Sequence, residues 1–202
     1  MDALAADWPE ALDCGCAGAP MEGESRSGDV AVFAPTTAGG LACLIDGLGH
    51  GPEAADAAER CAEVVRANAE APAAELLDLC HRALLDSRGV VMTAAWFDLD
   101  RSLLSWAGVG NVDARLVRSG PEQREDVALV FGGVIGYRMP KVRVATMPLG
   151  RGDVLVMITD GIESAVSRAL AGGGAAQALA ERIFAMHGKG TDDALAVVIR
   201  YR

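Results

Sequence analysis

The stretch Leu41-Ala-Cys-Leu-Ile-Asp46-Gly-Leu-Gly-His50-Gly-Pro-Glu-Ala54 runs from an apolar segment into an acid, three glycines and a histidine, then into a helical pattern. Taken singly, an acid at a strand end beside a turn is a turn residue or a helix cap. Pro52 marks the first helical turn, where its preset φ fits and its missing N–H is not needed. Working backwards, Asp29-Val-Ala-Val-Phe-Ala-Pro35 and Leu41 to Ile45 read as two strands joined by the turn Thr36-Thr-Ala-Gly-Gly40, a hairpin.

Working forwards, Ala54, Ala58, Cys61, Ala62 and Val65 recur at helical spacing. Ala71-Pro72 interrupts the pattern before Leu76, Leu77, Cys80, Ala83 and Leu84 repeat it, so two helices follow the hairpin. Strands are then expected over Val90 to Leu99, Leu103 to Val109, Ala114 to Arg118, Val127 to Phe131, Val142 to Met147 and Val154 to Ile158. A helix around Ala175 to Met186 and a strand from Ala194 to Tyr201 close the chain, with Ala169 to Ala176 a small-residue loop before that helix. Grouped strands and grouped helices, rather than strict alternation, predict an α+β sandwich of antiparallel sheets covered by helices. The 202 residues fit one domain, 1–202.

Composition narrows the function. The net charge of −10 and only two lysines exclude a phosphate-gripping nucleic-acid surface. No apolar run is long enough to span a bilayer, and the acidic start Met1-Asp-Ala-Leu-Ala-Ala-Asp-Trp-Pro-Glu10 lacks the pattern of a secretion signal, so a cytoplasmic chain is expected. Cys14, Cys16, Cys43, Cys61 and Cys80 form one CxC and no CxxC, which predicts reduced thiols with no chemistry assigned. Gly132-Gly-Val-Ile-Gly-Tyr137 lacks the GK[ST] of a phosphate loop and reads as a plain loop.

The acids carry the chemistry. Asp29 starts the first hairpin strand, Asp46 ends the second, Asp160 ends another strand, and Asp192 and Asp193 precede the last. As a set they point to a hard-cation site: carboxylate oxygens suit Mg²⁺ or Mn²⁺, and no local histidine pair favours zinc. Two such ions sharing a bridging carboxylate activate water for in-line attack on phosphorus without a serine or cysteine nucleophile.

Asp46-Gly-Leu-Gly-His-Gly51, Trp106-Ala-Gly-Val-Gly-Asn111, Thr159-Asp-Gly-Ile-Glu163 and Thr191-Asp-Asp-Ala-Leu-Ala-Val-Val198 together resemble, in order, the motifs of the metal-dependent protein phosphatases of type 2C. The DGxGHG form and the DDxxxVVI ending are similar to the SpoIIE-like bacterial branch, in particular its small stand-alone stressosome members. The resemblance implies a four-layer αββα sandwich and a phosphoserine/phosphothreonine phosphatase using two Mn²⁺ or Mg²⁺ ions. It implies Asp46 as the bridging ligand and the Gly47 carbonyl on the first ion. Asp160 and Asp192 are implied on the second, with Asp193 a further candidate and Asp29 holding metal-bound water. The implied partners are phosphorylated STAS-domain stressosome proteins of the RsbR and RsbS type; a monomer is expected, and charge and hydropathy argue against a nucleic-acid or membrane partner.

The departures are specific. Leu48 stands where eukaryotic relatives place a histidine after Asp-Gly; His50 follows two residues later, either as a proton donor or as a turn residue. Glu24 occupies the place of a phosphate-holding arginine, with Arg26 nearby, and Asn111 replaces a third-metal aspartate, which leaves the chemistry on two ions. Two other readings stay open: a small phosphate-ester hydrolase, and a phosphoprotein-binding module without turnover.

Overall fold

The computed structural model describes residues 7–120, 124–164, 166–170 and 173–202. The front of the acidic start and part of the expected 169–176 loop lie outside those residues. The hairpin forms from β2 (Asp29–Thr36) and β3 (Gly39–Gly47), turning at Thr37-Ala38 with Thr36 opposite Gly39. The helices α1 (Pro52–Ala67) and α2 (Ala73–Ala83) follow, then the antiparallel strands β4 (Val90–Asp98) and β5 (Leu103–Val109). Next come β6 (Asp113–Val117), β7 (Glu125–Val127), β8 (Val130–Phe131), β9 (Ala145–Pro148) and β10 (Val154–Ile158). A 3₁₀ turn (Val166–Leu170), α3 (Ala176–His187) and β11 (Ala194–Tyr201) complete the chain.

The strands divide into two sheets. One has the order β2-β3-β4-β5-β8, with β9 also paired to β5. The other contains β1 (Leu12–Ala19) at its edge, in the order β1-β11-β10-β6-β7. Three apolar clusters set the layering. One packs α1 and α2 on the hairpin sheet through Ala58, Cys61, Val65, Leu76 and Cys80. The second fills the space between the sheets with Leu44, Phe97, Leu104, Trp106, Leu116 and Ile199, and the third packs α3 on the other sheet through Leu179, Ala180 and Ile183. The expected αββα sandwich is the fold. The stripe Ala54, Ala55, Ala57, Ala58 and Ala62 is buried, so α1 lies close to its sheet: alanine offers little side chain to hold the layers apart.

Three details differ from expectation, the first being β1, which the sequence pattern does not predict. The strand expected over Val127 to Phe131 is two short strands in different sheets, because the chain crosses between β7, paired with β6, and β8, paired in parallel with β5. The strand expected from Val142 is regular only from Ala145. All five cysteines are free, and four of them are buried. Burial, Asp13 and Cys16 push the Cys14 thiol up to about 12, so this CxC member is protonated and unreactive at neutral pH.

Candidate metal centre

The hairpin register sets Asp29 directly across from Asp46. Facing like charges on neighbouring strands are unfavourable, so the pair needs a compensating interaction. Asp29 is 8% exposed, and its Oδ2 accepts a hydrogen bond of 2.7 Å from the Thr159 hydroxyl. Thr159 follows β10 in the opposite sheet. Its Oγ1 also accepts from the Leu195 amide at 2.9 Å, and its own amide donates to the Leu195 carbonyl at 3.1 Å. One buried threonine therefore ties the ends of the two sheets together at the acid pair.

Asp193 makes a second tie. It is 3% exposed, and its carboxylate accepts from the Met21 amide at 2.8 Å and the Gly28 amide at 2.7 Å. These bonds draw the segment before β2 onto the start of β11, while the Gly47 amide donates to the Gly28 carbonyl at 2.9 Å. Gly47 permits a close approach: a Cβ there would stand 2.2 Å from the Ala54 carbonyl oxygen in the first turns of α1. The DGxGHG turn thus leads from strand to helix with its backbone against the acids.

Asp160 is exposed, and its Oδ2 accepts from the Asn111 amide at 2.9 Å. Asn111 therefore orients a neighbouring acid from the position where relatives add another carboxylate. The ammonium of Lys189 donates to the Asp160 carbonyl at 2.6 Å. Asp192 is half-buried and accepts from the Asp193 amide at 2.9 Å. His50 is exposed, with Nδ1 2.8 Å from Glu24 Oε1, so Glu24 orients the imidazole instead of leaving an empty arginine position. Arg26 turns to Asp56 on α1, 2.6 Å away, and does not bond to the acids.

Burial raises the Asp29 carboxyl to about 8, with Asp46 the next cause and Asp193 and Asp160 adding to it against the Thr159 hydrogen bond. Burial raises Asp46 to about 7, helped by Asp160, Asp192 and Asp193. No cationic side chain is among these causes. A buried, like-charged acid set needs either protons or a cation to neutralise it. Among the described residues no three His, Cys, Asp or Glu side chains already stand in ligating geometry; the acids surround a shared edge and do not close on one point. Their oxygen chemistry and uncompensated charge fit a divalent hard cation.

Open space flanks the acids on both sides. A cavity of about 300 Å³ is lined by Asp29, Arg26, Ser27, Phe33, Glu59 and Leu195. Another of about 530 Å³ is lined by Asn111, Arg115, Thr159, Asp160, Ser164 and Lys189. Sequence reasoning named Asp29, Asp46, Gly47, Asp160, Asp192 and Asp193, all of which lie at this edge. It gave no role to Thr159 or Lys189. The Thr-Asp-Gly context was the available signal for Thr159.

This sandwich, with acids at the ends of both sheets, has the architecture of the phosphatases of the type 2C class. The sequence matches the family described as Stage II sporulation protein E (SpoIIE) over residues 38–202, and the chain belongs to that family. A chain solved in work on the bacterial stressosome, described as a modular system adapted to control secondary messenger signaling, is 30% identical. The match covers 94% of this chain and 99% of that one, with a TM-score of 0.88. RsbX in complex with magnesium is 18% identical, covering 95% of this chain and 96% of that one, with a TM-score of 0.84. The PP2C phosphatase domain with a fragment of the regulatory domain of SpoIIE from Bacillus subtilis is 20% identical over 94% of this chain and 62% of that one, with a TM-score of 0.72. No curated protein matches the sequence.

Proposed function

We propose that the chain hydrolyses phosphoserine or phosphothreonine on a STAS-domain stressosome protein of the RsbR or RsbS type, with two Mn²⁺ or Mg²⁺ ions as cofactors. The observation that carries this reading is the buried Asp29 facing Asp46 with no cationic side chain to compensate either. The 30% identical stressosome relative supports the partner, and the magnesium complex of RsbX supports the cation.

In this reading Asp46, the Gly47 carbonyl, Asp160 and Asp192 would hold the cations. Bound divalent ions supply Lewis acidity and an activated water for in-line attack on phosphorus. Asp29, fixed by Thr159, orients water at the acid edge. Asp193 spends its oxygens on the Met21 and Gly28 amides and holds the 21–28 segment in place. Asn111 fixes the direction of the Asp160 carboxylate. His50 has Nδ1 engaged by Glu24 and offers Nε2 as proton donor to the departing serine or threonine oxygen.

The test is hydrolysis of a phosphorylated STAS protein and of a small aryl phosphate, with and without Mn²⁺. Wild type should act only with the cation, and Asp46→Asn should fall to near background on both substrates while remaining folded. An Asp46→Asn rate equal to wild type under saturating Mn²⁺ would refute Asp46 as a cation ligand. Turnover of the aryl phosphate alone would favour the phosphate-ester reading.

A further inference from the structure

From Val127 to Gly152 the chain contains no Asp or Glu and four cations, Arg138, Lys141, Arg143 and Arg151, in a protein whose net charge is −10. Arg151 is engaged with the Arg202 carbonyl and the Tyr201 ring. Arg138, Lys141 and Arg143 are exposed, and their side chains pair with no acid among the described residues. Four of the six large apolar side chains most exposed in the described structure also fall here: Val127, Leu129, Tyr137 and Val144, with Tyr137 at 83%. Unpaired charge beside exposed apolar surface marks an interaction site rather than ordinary solvated surface.

The segment is anchored, so the patch has a defined place. Ile135 is fully buried, and Met139 and Val142 pack on the cluster beneath α1 and α2. The Gly136 amide donates to His81 Nδ1 on α2 at 3.0 Å. Val90 and Ile135 exchange backbone hydrogen bonds of 3.0 and 2.9 Å, and Val90 pairs with Gly47 on its other side. Two strand spacings, about 10 Å, therefore separate the 134–138 turn from the Asp46-Gly47 corner. A protein seated on the patch reaches the metal centre.

Resting on the phosphatase reading, we infer that Tyr137, Arg138, Lys141, Arg143 and Val144 form the docking surface for a folded phosphoprotein with an acidic face beside its phosphorylated residue. Charge complementarity selects this occupant: the patch is the acid-free cationic stretch of an acidic molecule, and opposed potentials steer encounter and fix orientation. Remote contacts here let binding energy orient the phosphate at the acid edge.

The experiment compares wild type, the triple variant Arg138→Glu/Lys141→Glu/Arg143→Glu, and Tyr137→Ser. The probes are a phosphorylated folded STAS-domain protein, a phosphopeptide copied from its phosphosite, and a small aryl phosphate. Wild type should prefer the folded protein to the peptide by about tenfold or more in kcat/KM, a preference that shrinks as salt rises. The triple variant should lose about tenfold or more on the folded protein and change less than about twofold on the other two probes. Tyr137→Ser should lose in the same direction and serves if the triple variant unfolds. An equal loss on all three probes, or none on the folded protein, overturns the inference.

If wild type turns over none of the probes, the phosphatase reading fails, and equilibrium binding of the phosphoprotein decides docking. Tighter binding by wild type than by the variants supports it, and equal binding overturns it. Wild-type binding to phosphatidylserine vesicles that the triple variant lacks, or a wild-type dimer that it breaks, gives the patch to another occupant and also overturns the inference.

Discussion

Thr159 carries three links on one buried residue: its hydroxyl donates to Asp29 and accepts from Leu195, and its amide closes back on the same strand. Thr159→Val keeps the shape and removes the hydroxyl. It should cost about 1–3 kcal/mol in urea unfolding, because the Leu195 amide loses its acceptor and Asp29 its donor. The hydrogen bond lowers the Asp29 carboxyl, so its loss should move the acidic limb of the rate profile to higher pH. An unchanged limb would show that Asp29 does not govern that protonation. The acids were legible in the sequence because carboxylates at strand ends form a recognisable set. Thr159 was not: its partner Asp29 lies 130 residues away, and no local spacing reveals that contact.

At the scale of elements, β1 was missed because Asp13-Cys-Gly-Cys-Ala-Gly18 lacks the branched and aromatic residues that signal strands. Packing explains that composition. A Cβ on Gly15 would lie 2.3 Å from the Gln177 Cα, and one on Gly18 would lie 2.1 Å from the Ala194 carbonyl oxygen. The strand admits α3 on its face and β11 at its side because it has almost no side chains there, while the Gln177 side chain bonds the Cys16 amide and carbonyl. Gly15→Ala should therefore destabilise by about 1–3 kcal/mol through overpacking. Gly132→Ala, with nothing within 4 Å of its Cβ, should stay within about 0.5 kcal/mol. Urea midpoints measured side by side check both. The hairpin and helices were legible because their periodicity is local; the sheet crossing between Val127 and Val130 is a tertiary event that a run of apolar residues conceals.

For the whole molecule, the order of strands and helices carried the α+β sandwich and the type 2C resemblance its four layers, whereas the burial that raises Asp29 and Asp46 exists only once both sheets are packed. Without divalent cation the folded chain keeps protons on these carboxyls up to about 8 and about 7, while the unfolded chain releases them near the ordinary 3.8. Their contribution to stability is thus present below that ordinary value and is lost as pH rises through about 7 to 8. Cation binding requires the deprotonated forms, so the gain in unfolding temperature from saturating Mn²⁺ should grow between about pH 6 and pH 8. A gain that does not vary with pH, measured by thermal scans in matched buffers, would separate these acids from the cation. The tie from Thr159 to Asp29 has a mechanical consequence. Asp29 and Asp46 belong to one sheet, and Asp160, Asp192 and Asp193 to the ends of the other, so the site straddles a joint between two stiff plates. Sliding one plate over the other changes the spacing of the acids before it breaks any strand pairing, which makes catalytic rate a strain gauge for the sandwich.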